Sequence, residues 1–244
     1  MSADAQQALD FGWLHDDTEE DLVGADWHQN AIHALSASLK ILAEERRLPW
    51  HVGDKLTVIG MKPDGTDWRP GPDVSIHPTL GPDDRQDIDV HVYGPPALVA
   101  EVASASTWRY DASLESTRRG KTQAGKAFGY LMLMRVPEYL VFDPLGEFIA
   151  RQVSAWRRAG DILQEWLPDT NGRYHSQALG ISFRPDGPFL RVFDPAGNPV
   201  PFWFEATREN IALRQANDEQ ALRIAALEAE IEQLRRSRGR DASS

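Results

Sequence analysis

The chain has 244 residues, 41% of them hydrophobic, with 26 basic against 37 acidic side chains and no cysteine. That length supports one large domain or a domain with an appendage, and the lack of cysteine excludes disulfides, thiolate metal sites and cysteine nucleophiles, so any metal must sit on oxygen or imidazole. Seven basic and seven acidic residues lie from Ala206 onward, so the whole net charge of −11 falls on residues 1–205, which disfavours tight non-specific nucleic-acid binding.

The N-terminal stretch MSADAQQALDFGWLHDDTEED is acidic and no apolar run approaches about 18 residues. Neither a secretory signal nor a membrane span is visible, and the expected location is the cytoplasm. Asp26 stands where a helix cap is needed, and apolar Ile32, Leu35, Leu39 and Leu42 then recur at helical spacing, which predicts an amphipathic helix over 27–47 that stops before Pro49. Short β-like runs follow at KLTVIGM (55–61), PDVSI (72–76), ALVAEVA (97–103) and EYLVFDP (138–144), separated by Pro, Gly and Asp. Between the last two, QAGKAFGYLMLM (123–134) is predicted to be helical despite its glycines. Residues 147–168 and 180–200 alternate and turn like antiparallel hairpins, with Asp-Gly and Ala-Gly-Asn turns. The body is mixed α/β without an internal repeat.

From Thr207 the pattern becomes a heptad. With Ile224 and Ile231 at a, the earlier a positions are Asn210 and Asn217, and the d positions are Leu213, Gln220, Leu227 and Leu234. Ile at a with Leu at d favours a parallel two-stranded coil, and a buried Asn fixes its register. Across such a dimer Glu209 would face Arg214, Arg223 would face Glu228, and Glu230 would face Arg235. A single helix folded back on the body would not require three matched pairs. The expected organisation is a body over 1–205, a dimerising helix over 206–237 and a disordered tail over 238–244.

Glu101 sits in an apolar strand, PPALVAEVASAST (95–107), beside Leu98, Val99 and Val102. A buried glutamate most often pairs with Arg or Lys, because an uncompensated carboxylate is costly in an apolar setting. The competing reading is a metal ligand, and Asp73, 28 residues earlier, could reach a neighbouring strand. Two carboxylates on adjacent strands, with a backbone carbonyl beside Glu101, would make a hard oxygen site suited to Mg²⁺.

The order PDVSI, EVASAST, Asp111, a Lys and Tyr four apart in KAFGY, then VPEYLVFDP resembles the Uma-type restriction endonuclease family, a branch of the PD-(D/E)XK nuclease superfamily. EEDLVGADWHQNAI also looks like the family's approach to its first helix, FLRVFDPAGNPV like its last hairpin, and the Arg/Glu/Ala-rich coil like its C-terminal extension. The resemblance implies an α/β, restriction-endonuclease-like mixed β-sheet core flanked by helices, with a C-terminal coiled-coil helix. It also implies a Mg²⁺- or Mn²⁺-dependent endonuclease acting on DNA, here a homodimer through residues 207–237. A nuclease-fold protein that is weakly active or inactive and binds partners through the coil is the alternative.

By this resemblance Asp73 and Glu101 would hold the metal. The lysine that follows the acid by two residues in the wider superfamily is replaced here by Ala103, and Lys126, four before Tyr130, matches the lysine from the following helix. Lys121 competes with it, because Lys126 comes 15 positions after Asp111 where the family has only a few. Lys126 would orient the attacking water and offset charge in the transition state. Ser104 and Thr107 would cap the following turn or touch a phosphate, with capping favoured. Asp111 would brace Lys126 or an arginine, or stand as a solvated loop carboxylate. Arg109, Arg118, Arg119 and Lys121 form a basic run near the site that is either solvated or in contact with phosphates.

The seven histidines form no HExxH or paired-ligand pattern, and His28 and His33 read as helix-surface or first-turn residues. No glycine-rich phosphate loop, G-x-S-x-G elbow or dinucleotide fingerprint is present. The eight tryptophans read as core and interface packing.

Overall fold

The computed structural model describes residues 26–118 and 121–241, with side chains left aside at 116–118, 121–123, 226 and 229–241. The expected approach to the first helix, the side chain of Lys121, Arg119 and the Ile231, Leu234 and Glu230–Arg235 positions of the heptad therefore lie outside the description. The chain divides into two compact units, Met1–Val200 and Pro201–Ser244.

The first unit opens with α1 (Asp26–Arg46), whose apolar stripe buries Ile32, Leu35, Leu39 and Leu42. Arg47 ends it at φ 53°, with Arg47 N donating to Glu44 O at 3.1 Å and Leu48 N to Ala43 O at 2.8 Å. This paired closure satisfies the last carbonyls without glycine. Strands β1 (His51–Asp54), β2 (Thr57–Met61), β3 (Asp67–Trp68), β4 (Val74–His77) and β5 (Asp87–Asp89) follow, then a turn of helix α2 (Val90–Tyr93) and β6 (Leu98–Val102). Next come α3 (Trp108–Asp111), a hairpin of β7 (Glu115–Arg118) and β8 (Lys121–Ala124), and α4 (Lys126–Phe128), which runs into a π-helical turn over Gly129–Leu133. The unit continues with β9 (Glu138–Phe142), β10 (Val153–Ala159), β11 (Ile162–Glu165), β12 (Tyr174–His175), β13 (Ser182–Asp186) and β14 (Phe189–Phe193).

Six strands form the central sheet in the order β1-β4-β6-β9-β10-β11. The β6–β9 pair is parallel and the other neighbours are antiparallel. A parallel pair needs a crossover, and this one contains α3, the β7–β8 hairpin and α4. Both faces of β6 and β9 are covered, which is why these strands read as near-continuous apolar runs. Leu98, Ala100, Val102, Leu140 and Phe142 join the α1 core, whereas Val99, Ala103, Tyr139 and Val141 join a second core with Phe128, Tyr130 and Leu131 from the crossover. Strand alternation therefore sets Glu101 on the crossover side, with Val99 and Ala103.

The β9–β10 connection is organised by Asp143, which is fully buried. One carboxylate oxygen accepts from Leu145 N at 3.2 Å and Gly146 N at 3.0 Å, the other from Phe148 N at 2.6 Å and Ile149 N at 2.9 Å. Asp143→Asn replaces one acceptor with an NH₂ group that faces two donors. An unfolding free energy lower by about 1–3 kcal/mol is expected, measured by urea denaturation at pH 7.

The second unit is built on α5 (Trp203–Asp241), longer at both ends than the helix expected over 206–237. Its Leu213, Ile224 and Leu227 are each half-exposed or more.

Candidate active site

The register Val74↔Ala100 continues outward to set Asp73 against Glu101, so the two acids stand at adjacent ends of β4 and β6. Each carboxylate is held by a backbone N–H at or next to the other acid. Asp73 N donates to Glu101 Oε2 at 3.2 Å, and Val102 N donates to Asp73 Oδ2 at 2.8 Å. Both residues are buried, 8% and 2% exposed. Burial pushes the Asp73 carboxyl above its ordinary range, against the opposing pull of His28, Lys126 and the Val102 N–H.

Lys126 enters from the crossover, with Nζ 3.1 Å from Glu101 Oε1 and 3.8 Å from Asp111 Oδ1. The 14 residues between Asp111 and Lys126 do not separate them, because β7 and β8 fold back on each other and Gly125 N donates to Leu114 O at 2.8 Å. Glycine is required at that closure, since a Cβ on Gly125 would lie 1.9 Å from the Ser113 carbonyl oxygen. Four residues later Gly129 packs against Trp68, whose ring would be 2.4 Å from an added Cβ. There the helix widens, Met134 N donating to Gly129 O at 3.1 Å, a π-type turn of the kind often found beside functional residues.

Asp111 is 3% exposed and is a member of the cluster, not a solvated loop carboxylate. Its carbonyl accepts from the Tyr139 hydroxyl at 3.0 Å. Burial, then the negative charges of Glu101 and Asp111, hold the Tyr139 phenol far above its usual pKa, so it remains a donor. Tyr130 is fully buried and stacks on Tyr139 with ring centroids 5.5 Å apart, which makes it part of the wall behind the site. Ser104 Oγ lies 2.9 Å from Thr107 Oγ1 and accepts from Thr107 N at 3.3 Å. These bonds close the turn before α3, whose N-cap Thr107 makes no side-chain bond to the helix. Arg109 lies over the Trp108 ring at 5.0 Å, while Arg118 and Lys121 pair in register at the turn end of the hairpin, with their side chains outside the description.

His28 lies in the first turn of α1, as one of its two readings has it, but is buried and not on the helix surface. It is 7% exposed, and its Nε2 lies 2.8 Å from Val102 O and 3.7 Å from Asp73 Oδ2. A carbonyl only accepts, so Nε2 carries the proton. The helix start is thereby tied to the strand that carries Glu101. Its spacing in sequence gave no signal, because the contact depends on how α1 docks on the sheet.

Glu101 and Asp111 face the Lys126 ammonium with buried Asp73 beside Glu101, so the site gathers hard oxygen donors. Among the described residues no group of three His, Asp or Glu side chains is placed to hold a metal ion. Mg²⁺ does not need one, being bound through one or two carboxylates with water and substrate phosphate completing its shell. Asp73 and Glu101 fit that pattern.

Among the described residues no helix is long and apolar enough to cross a membrane. No curated protein matches the chain. A solved structure, a "putative nuclease belonging to DUF820" from Anabaena variabilis ATCC 29413, is similar at 12% identity over 59% of this chain and 69% of that one, with a TM-score of 0.38. The model of the Uma2 family, described as "Putative restriction endonuclease", matches residues 15–186, well over half of the sequence, and the chain belongs to that family.

Proposed function

We propose that the protein is an endonuclease that hydrolyses DNA phosphodiester bonds, with Mg²⁺ or Mn²⁺ held by Asp73 and Glu101 and with Lys126 as the positioning cation. The observation that carries this reading is the convergence of Asp73, Glu101, Asp111 and Lys126 at one end of β4 and β6. In the reaction water attacks phosphorus and the bond to the leaving sugar oxygen breaks. Lys126, steered by Glu101 and Asp111, orients the attacking oxygen and offsets negative charge growing on phosphorus. The Asp73–Val102 and Asp73–Glu101 hydrogen bonds hold both acids in register, and His28 fixes the strand end beneath them. The metal, when bound, supplies Lewis acidity toward the phosphate and a more acidic water.

A plasmid nicking assay with Mg²⁺ or Mn²⁺ tests the proposal. Wild type should cleave and Glu101→Ala should lose at least about a hundredfold in rate; equal rates would reject the assignment. Parallel incubation with RNA separates the two nucleic acids. The acidic body, −11 overall, favours the alternative of a nuclease-fold interaction module. Absence of cleavage under all these conditions would select it.

The same proposal includes a homodimer through α5. Leu213, Ile224 and Leu227 fall on one heptad seam and are half-exposed or more in the single chain, where a parallel partner would cover them. Deleting 207–244 is expected to leave a folded body and halve the mass in light scattering. An unchanged mass would reject the coil as the dimer contact.

A further inference from the structure

A second polar cluster lies at the edge of the central sheet. His51 on β1 stands directly opposite His77 on β4. His77 is four residues beyond Asp73, about 13 Å along the strand. The two imidazoles are buried, 7% and 1% exposed. Neither ring nitrogen of His51, nor Nε2 of His77, nor Nε of Arg85 has a hydrogen-bond partner among the described residues. The Gly81 and Asp83 carbonyls lie near the His51 ring without reaching hydrogen-bond geometry. Arg85 itself is anchored, its Nη2 donating to Leu80 O at 3.3 Å and its guanidinium lying 5.0 Å over the Tyr93 ring. Buried polar atoms normally find partners, so these unpartnered nitrogens mark a missing hydrogen-bonding group.

Two facing imidazoles suit a transition metal as readily as an anion, and the sign of the local charge decides between them. Burial, then His51 and Arg85, push His77 down to about 4, while burial, then Arg85 and to a smaller degree Lys40, lower His51. Burial alone disfavours charge of either sign, and the sign comes from the fixed cations: Arg85 stands near both rings and Lys40 near His51, which opposes a metal cation and favours an anion. Beside the cluster is a cavity of about 600 Å³, within the range of small-molecule sites. His51 and Trp50 form part of its wall, with Lys40 and Arg47 as cations and Glu44 and Asp84 as carboxylates.

We propose that this cavity binds an organic anion, its phosphate or carboxylate group held by His51, Lys40 and Arg47 and its ring-sized body lying against Trp50. Glu44 and Asp84 accept from N–H groups on that body and weaken the hold on a bare ion. A nucleotide meets all of these requirements, either free or as one unit of a strand. The inference does not rest on cleavage at Asp73 and Glu101.

Ring-nitrogen NMR of the full chain tests it, with inorganic phosphate, adenosine 5′-monophosphate and a 12-nucleotide DNA strand as probes. The nucleotide should shift the His51 signals saturably and raise the pH at which His51 titrates. Lys40→Gln combined with Arg47→Gln, the first exposed on α1 and the second exposed just past its end, should weaken that binding at least tenfold without altering the fold. A strand that binds at least tenfold more tightly than the mononucleotide identifies a substrate subsite, and the reverse order identifies a free ligand. The proposal is overturned if no probe shifts His51. It also fails if phosphate alone matches the nucleotide, or if the double variant binds like wild type.

Discussion

Lys126→Ala is expected to reduce Mg²⁺-dependent cleavage by at least about a hundredfold to a thousandfold, the scale on which a single positioned charge acts on a transition state. Metal affinity should stay level or rise, because Asp73 and Glu101 remain and the ammonium 3.1 Å from Glu101 Oε1 no longer competes for that oxygen. Lys126→Arg should not restore the rate. A planar guanidinium carries the charge but not the compact point donor that fits between Glu101 and Asp111. Lys121→Ala should have a smaller effect, expressed as weaker and more salt-sensitive substrate binding. Nicking rates and metal titration by calorimetry check all four statements together. If Lys121→Ala is dead and Lys126→Ala active, the lysine assignment is wrong.

That assignment shows how far the sequence could be read. Asp73 and Glu101 were legible because each sits in a short motif attached to a strand, and a two-residue period then fixes which face each side chain takes. Lys126 was ambiguous because the stretch before it read as loop and helix. In the fold it is a hairpin, β7 and β8, that closes on itself through Gly125 and returns the chain beside Asp111. An insertion of that kind changes spacing in sequence without changing position in space. His28 was not legible at all, since a contact between a helix start and a strand end depends on docking geometry that periodicity does not encode.

Buried acids in this sheet also divide in a way no sequence pattern separates. Glu138 accepts from Arg157 Nε at 3.1 Å, Gln177 N at 2.7 Å and the Ser176 hydroxyl. Asp143 accepts from four backbone N–H groups. Their charges are absorbed by the frame. Glu101 and Asp111 instead share one ammonium, beside an Asp73 whose carboxyl burial pushes upward. The difference lies in the partner, a side-chain ammonium from the crossover for Glu101 and Asp111 and the local frame for Glu138 and Asp143.

The other large expected effect is on stability toward acid, and it arises at His77. In the folded chain its pKa is lowered from 6.5 to about 4, mainly by burial. Above pH 6.5 the imidazole is neutral in both states and contributes nothing to the pH dependence. As pH falls below 6.5 the unfolded chain takes up a proton that the folded chain refuses, so stability declines, and the decline from this residue ends near pH 4 when the folded state protonates too. The full loss is about 3 kcal/mol. His51 acts in the same direction, its folded pKa also being lowered. Asp73 opposes them, since a carboxyl raised by burial regains stability on protonation. Asp169, lowered to about 2 by its hydrogen bond with His175, loses its contribution only below about pH 4, outside this window. His77→Gln removes the titrating group while keeping a polar side chain at the position. Urea unfolding at half-unit steps from pH 7 to 4 should show a steep fall in wild type and a fall shallower by up to about 1.4 kcal/mol per pH step of one in the variant. Parallel curves for the two proteins would mean that His77 is not the group held neutral in the folded chain.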